Sequence, residues 1–170
     1  MGRKQGAGCV FHRNGKPYCK ANFIEDIIVD KKAKIYSEET GNLVFTGEMV
    51  DGLKNGIGNE YFDFSENQMA ILKGQSNNKQ LINTQFIDYR GEFKEDLRSG
   101  RGTEYKVDHS GNSYVVCNSL WSFGNKILDN CQYDNSGKLA RRAMANNNYL
   151  FCVDYSKKTS IKYISYKDQS

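Results

Sequence analysis

The residues able to do acid–base or nucleophilic chemistry in this chain are few and poorly placed for it. Any histidine-dependent hydrolysis must use His12 or His109, the two histidines among 170 residues, and each stands beside turn residues, Arg13-Asn14-Gly15 and Ser110-Gly111. A catalytic histidine needs a nucleophile on one side and an orienting acid on the other, so both read as exposed turn histidines. Glu25-Asp26 and Glu38-Glu39 are adjacent in sequence. On a strand such neighbours face opposite sides, whereas a carboxylate dyad must flank one substrate bond, so these pairs are assigned to solvent. The strings Gly2-x-x-x-Gly6-x-Gly8 and Gly52-x-x-x-Gly56-x-Gly58 lack the Gly-Lys-Ser/Thr of a phosphate-binding loop. Neither G-x-S-x-G nor H-E-x-x-H occurs. Cys9, Cys19, Cys117, Cys131 and Cys152 are odd in number and never spaced as C-x-x-C, which points to neither a disulfide framework nor a zinc site; reduced, mostly buried thiols are expected. No catalytic, cofactor-binding or metal-binding residue is assigned, and the chain is expected not to be an enzyme.

Charge nominates no partner by itself. Lys and Arg total 24 against 20 Asp and Glu, and the resulting +4 falls short of the concentrated charge of a dedicated nucleic-acid binder. Tyr155 to Lys167 interleaves aromatic and basic residues, but on a strand Lys162 and Tyr163 take opposite faces, so the ring is assigned to the core and no nucleic acid is expected. Lys31, Lys32, Lys34, Arg141 and Arg142 are candidate contacts to an anionic surface, each worth about 1 kcal/mol near acidic lipid. No stretch approaches the roughly 18 apolar residues of a membrane span, and Met1 to Lys20 lacks the apolar core of a secretory signal, so the unmodified chain is expected to be intracellular.

The elements that carry these residues announce themselves as a repeat. Phe45-Thr-Gly47-Glu-Met49-Val-Asp-Gly52-Leu-Lys-Asn-Gly56-Ile-Gly58-Asn-Glu-Tyr61 returns 44 residues later as Tyr89-Arg-Gly91-Glu-Phe93-Lys-Glu-Asp96-Leu-Arg-Ser-Gly100-Arg-Gly102-Thr-Glu-Tyr105. Halving the offset lands on Ile71, Leu72, Lys73 and Gly74, with Ile71 in place of Met49 and Gly74 in place of Gly52, so a period of 22 is inferred. On this template 45–61 and 89–105 are the strong units, and 2–11, 19–36, 67–83, 117–133 and 147–163 are weaker ones within a single array over 1–170. Phe23, Met49, Ile71, Phe93, Trp121 and Phe151 are its large-residue anchors.

Large and small residues alternate in Phe45–Met49 and Gly58–Phe62, the period of a strand with one buried face. Asp51 to Gly56 between them supplies Asp-Gly and Asn-Gly pairs for a tight hairpin loop. Gly47 and Gly58 lie within the arms, where a missing side chain lets a ring lie over the backbone. Phe45, Met49, Tyr61, Tyr89, Phe93 and Tyr105 are therefore expected to form one buried ladder. Asn14-Gly15, Thr40-Gly41, Ser110-Gly111 and Ser136-Gly137 signal further turns, and 16 glycines beside a single proline suit such a chain. The expected fold is all-β, an elongated meander of stacked antiparallel hairpins with little or no helix. One short helix around Lys138 to Ala145 is allowed, with a strand arm or an exposed turn as alternatives.

The pattern Tyr/Phe-x-Gly-x-large-x-x-Gly-x-x-x-Gly-x-Gly-x-x-Tyr/Phe resembles the MORN (membrane occupation and recognition nexus) repeat, departing mainly at Asp96 where glycine is usual. The resemblance implies a MORN-type β-solenoid built on Phe45, Gly47, Met49, Gly52, Gly56, Gly58, Tyr61 and on Tyr89, Gly91, Phe93, Gly100, Gly102, Tyr105 and Trp121. It also implies a non-catalytic scaffold, a small subunit of a larger intracellular assembly held by other proteins. A cytoskeletal or ciliary location is favoured, with an organellar membrane complex as the alternative. A peripheral module that contacts acidic phospholipid weakly is the second class, and a homodimer through the ends of the array is open.

Overall fold

Alternation of large and small residues carries through as strands. A computed structural model describes residues 2–75, 85–108, 111–134, 136, 138–145, 149–154 and 161–165, with backbone alone for 73–75, 128–130, 143–145, 149–154 and 161–165. Among these, thirteen strands join in one sheet: β1 (Gly6–Phe11), β2 (Pro17–Ile24), β3 (Ile27–Ile28), β4 (Asp30–Tyr36), β5 (Leu43–Val50), β6 (Leu53–Tyr61), β7 (Ile87–Lys94), β8 (Leu97–Val107), β9 (Ser113–Ser122), β10 (Asn125–Tyr133), β11 (Leu139–Ala145), β12 (Tyr149–Asp154) and β13 (Ile161–Ser165). Twelve run side by side in chain order, with β3 pairing only β2. Every pairing is antiparallel. The fold is an open antiparallel meander, as the hairpin pattern predicts.

Segment 67–83 departs from that pattern. A helix, α1 (Glu66–Gln75), occupies its first part; residues 76–84 lie outside the described residues. Ser65 and Gln68 start the helix reciprocally. The Ser65 N–H donates to Gln68 Oε1 at 2.8 Å, and the Gln68 N–H donates to Ser65 Oγ at 3.3 Å, the capping-box arrangement of S-x-x-Q. Ile71, expected as a core anchor, is 58% exposed. Meanwhile β6 pairs directly with β7 through Gly58 and Gly91. The two strong units are thus neighbours in the sheet, and the segment between them is an insertion at a hairpin connection. The short helix allowed near Lys138 to Ala145 is instead the strand β11.

The core lies along one face of the sheet. Gly47 stands opposite Gly58, Gly58 opposite Gly91, Gly91 opposite Gly102 and Gly102 opposite Ser119, a row of small residues across five strands. A Cβ built on Gly58 would lie 2.5 Å from Phe45 Cε2, and one on Gly47 would lie 2.8 Å from Phe45 Cζ. Rings therefore lie over the glycine backbone. Phe23, Phe45, Met49, Tyr89, Phe93 and Trp121 are all buried. Phe45 meets Phe93 edge-on at 5.4 Å between centroids, Phe93 meets Tyr89 at 5.3 Å, and Tyr89 meets Trp121 at 5.6 Å. Tyr61 and Tyr105 are not in this ladder. Each stands three residues past its glycine, an odd step that puts it on the opposite face, where both are half-buried. The Tyr61 hydroxyl lies 3.0 Å from Thr46 Oγ1 there. Phe151 lies outside the described side chains.

Candidate interaction surface

Four two-residue turns line one edge of the sheet: Glu25-Asp26, Asp51-Gly52, Glu95-Asp96 and Phe123-Gly124. Both residues of each have positive φ, between 48° and 79°, the conformation of a type I′ hairpin turn. Glu25 and Asp26 are therefore turn residues and not strand neighbours. The second residue of each turn donates its N–H to the hairpin before it: Asp26 to the Lys4 carbonyl, Gly52 to Ile28, Asp96 to Lys54 and Gly124 to Arg98, at 3.0–3.1 Å. Where aspartate replaces glycine, its carboxylate returns the bond. Asp26 Oδ1 accepts from the Lys4 N–H and Asp96 Oδ1 from the Lys54 N–H, both at 2.8 Å. That backbone bond is the main cause holding the Asp26 carboxyl below its ordinary range. The Asp96 departure from the glycine template is thus a stitch between units.

Gly56 does not sit in a turn, as the Asp51–Gly56 loop reading expects. It lies within β6 at a bulge, with φ 98°, because Gly47 opposes Gly58 while Met49 opposes Lys54 and leaves two extra residues on β6. Gly100 repeats this in β8, with φ 61°. Glu48 and Glu92 fill the two bulges, accepting the Ile57 N–H at 3.3 Å and the Arg101 N–H at 2.9 Å.

Over the buried rings runs a ladder of charges. Lys54 Nζ is 2.7 Å from Glu60, and Arg98 reaches Glu60 at 2.8 Å, Asp88 at 2.5 Å and Glu104 at 3.6 Å; Lys126 pairs with Glu104. The same three cations cap the aromatic faces: Lys54 over Phe45 and Phe93, Arg98 over Tyr89 at 4.4 Å and over Trp121, and Lys126 over Trp121. Each such contact contributes about 0.5–2 kcal/mol. Burial pushes Glu60 up, but the hydrogen bonds and charges of Lys54 and Arg98 outweigh it and hold the carboxyl below its ordinary value. Burial raises the Tyr89 phenol to about 12, with Arg98 opposing. Cys117 Sγ lies 2.6 Å from Glu104 and 3.2 Å from Lys126, and burial followed by the Glu104 contact pushes its thiol up. These groups hold one another ionised or protonated as structural partners. Matched offsets in the two strong units, Lys54 with Arg98 and Glu60 with Glu104, were the available sequence signal; only the register shows that they meet.

The five candidate anionic-surface contacts fall into two sets. Lys31, Lys32 and Lys34 belong to β4, and Arg141 and Arg142 to β11, all exposed. Seven strand steps separate β4 from β11, roughly 34 Å along the sheet at about 4.8 Å per step. Lys34 instead stands directly opposite Lys20 of β2. His12 is not an exposed turn residue: its side chain is 16% exposed, 3.8 Å from Glu38, with Nε2 at 3.3 Å from the Tyr36 carbonyl and the ring edge-on to Tyr18. His109 and the Cys152 side chain lie outside the described residues. Cys19 and Cys117 are buried, Cys131 is half-buried and Cys9 is exposed, all four as free thiols. Among the described residues no helix is long and apolar enough to cross a membrane. No family model and no curated protein matches the chain.

Proposed function

We propose that this protein is a non-catalytic interaction scaffold, a small subunit of a larger assembly. The observation that carries the reading is the ladder from Lys54 to Lys126. The best-buried ionisable groups of the central strands are committed to one another and to aromatic faces, so they brace a surface and are not poised for proton transfer. An open row of hairpins offers two broad faces and an edge of turns, the kind of extended surface repeat arrays use for partners. The resemblance to MORN repeats favours a cytoskeletal or ciliary complex, with an organellar membrane complex as the alternative.

A second reading, a peripheral module on acidic lipid, draws on one observation. Lys20 and Lys34 are opposed across β2 and β4, with Lys32 two residues along β4, and like charges placed opposite each other destabilise a sheet. Copurification of the tagged protein from its own cells, beside co-sedimentation with anionic and neutral vesicles, tests both. The scaffold reading expects a defined set of protein partners that persists when Lys31, Lys32, Lys34, Arg141 and Arg142 are neutralised, with weak, salt-sensitive vesicle binding. Strong anionic-vesicle binding abolished by that variant, with the partners lost as well, would reverse the ranking.

A further inference from the structure

Among the described residues the row of strands ends at β1, which pairs only with β2. Its place in the repeat is that of β6. Gly6 stands opposite Phe23 and Gly8 opposite Ala21, as Gly56 stands opposite Phe93 and Gly58 opposite Gly91. Lys4 exchanges with Asp26 the same two backbone bonds that Lys54 exchanges with Asp96. By the same register Gly100 and Gly102 put β8 in that place too, opposite Trp121 and Ser119. On their other edges β6 is covered by β5 and β8 by β7. The corresponding edge of β1 is open, and such an edge is a template for another strand.

The two internal covering strands say what that other strand must carry. A glutamate, Glu48 of β5 or Glu92 of β7, enters the bulge and accepts the Ile57 or Arg101 N–H. An aromatic ring, Phe45 or Tyr89, lies on Gly58 or Gly102. A glycine, Gly47 or Gly91, stands opposite that same residue and lets the two backbones close. β1 is shaped for all three. Gly6 already holds the positive φ of the bulge, 79° against 98° at Gly56 and 61° at Gly100. A Cβ built on Gly6 would meet nothing within 4 Å, whereas on Gly56 and Gly100 it would meet the glutamate Oε2 at 2.6 and 2.5 Å. The Ala7 N–H takes the place of the Ile57 N–H and so points off the open edge. Gly8 is exposed where Gly58 and Gly102 are buried, and the ring beside it, Phe23 at 3.3 Å, comes from β2 on the paired side.

We propose that β1 is completed by an antiparallel strand of a partner protein with the sequence aromatic-x-Gly-Glu-large. Its aromatic residue stands opposite Val10 and lies on Gly8, its glycine stands opposite Gly8, its glutamate accepts the Ala7 N–H, and its large residue stands opposite Lys4. Main-chain bonds along the edge supply affinity and these side chains supply specificity. A second copy of this chain does not fit the description. Its Gly-Glu strands, β5 and β7, are each flanked on both sides, and the ends of the row, Gly6–Phe11 and Ile161–Ser165, contain no acidic residue. The inference rests on the scaffold reading for its biological partner, although the binding itself is measured without one.

The full chain is titrated with a synthetic peptide of the β7 sequence, Ile-Asp-Tyr-Arg-Gly-Glu-Phe-Lys, by calorimetry and by amide chemical shifts. Saturable binding with a dissociation constant below about 1 mM is expected, with shifts and slowed amide exchange centred on Lys4 to Phe11. In the peptide, Glu→Ala should weaken binding about 5-fold or more through loss of the charge-assisted bond to Ala7, and Gly→Val should abolish it by holding the backbones apart. Peptide variants leave the protein intact, so they decide even if a change in β1 disturbs folding. In the protein, Ala7→Pro removes the outward N–H, and with an unchanged urea midpoint it should lose the peptide. No binding up to about 1 mM, a Gly→Val peptide that binds as well as the parent, or shifts centred on strands other than β1 and β2 would overturn the proposal. So would sedimentation showing the chain alone to be a dimer that Ala7→Pro dissociates, since a second copy would then hold the edge. Native partners that still copurify when the peptide fails leave the scaffold reading standing, whereas peptide binding at β1 with no partner from cells supports the edge and counts against the scaffold.

Discussion

At the scale of single residues, the glycines of this chain do two different things that the repeat pattern alone does not separate. Gly56 is needed for its positive φ at a bulge. Gly58 is needed because the Phe45 ring lies on it: a Cβ there would fall 2.5 Å from Cε2 and 2.7 Å from Cζ of that ring. Those distances demand that a fully buried ring move, and overpacking of this kind costs about 1–3 kcal/mol. Gly58→Ala should therefore destabilise by that amount in urea titration. A conformational role would leave the cost unchanged when the ring is trimmed, but a steric one would not. Gly58→Ala combined with Phe45→Leu should accordingly cost less than the sum of the two single changes; strict additivity would show that the ring contact is not the reason for glycine.

At the scale of elements, α1 interrupts the sequence period without interrupting the sheet. The Phe62 N–H donates to the Phe86 carbonyl at 2.9 Å, and around the base of the insertion Phe62 stacks on Phe64, which meets Phe86 edge-on. Asp63 anchors it further by accepting from Thr40 and Asn42. Replacing residues 65–84 by a four-residue turn should remove the helical circular-dichroism signal, keep the strand signal, and change stability by only about 1 kcal/mol, since loop closure depends weakly on length. Collapse of the strand signal would make the segment part of the array. The same segment shows where sequence reasoning stops. Strands were readable from Phe45 to Tyr61 and from Tyr89 to Tyr105 because alternation and turn chemistry agree there. Ser65-x-x-Gln68 carries an equally physical helix signal, which conflicts with the period of 22 obtained by halving 44. The faces of Tyr61 and Tyr105 followed from parity counted from Gly58 and Gly102, a step that turn residues alone do not supply. Contact between Arg98 and Glu60 was beyond local pattern, because it depends on which strands become neighbours once the insertion is looped out.

At the scale of the whole molecule, each strand packs against the strands next to it in the row, so long-range order depends on links that cross hairpins. The charge ladder is such a link. It joins Lys54 and Glu60 on β6, Asp88 on β7, Arg98 and Glu104 on β8 and Lys126 on β10, with three cations facing three carboxylates. Because the folded protein holds Glu60 below its ordinary value of 4.5, the unfolded chain binds more protons through that window, and stability rises with pH across it. The contribution is complete above the unfolded carboxylate value and is lost as pH falls through the lowered folded value. Asp63 is also lowered: burial pushes it up, but hydrogen bonds from Ser37, Thr40 and Asn42 prevail, so it acts in the same direction. Glu60→Gln removes the titrating charge but keeps an acceptor beside Lys54 and Arg98. At pH 7 this variant should be less stable than the parent by about 1–3 kcal/mol. Urea midpoints measured from pH 7 to pH 3 should show the parent losing stability on the acid side and the gap to Glu60→Gln closing there. A gap that stays constant over the whole range would mean that Glu60 acts through packing alone, and the ladder would no longer account for how the central hairpins hold together.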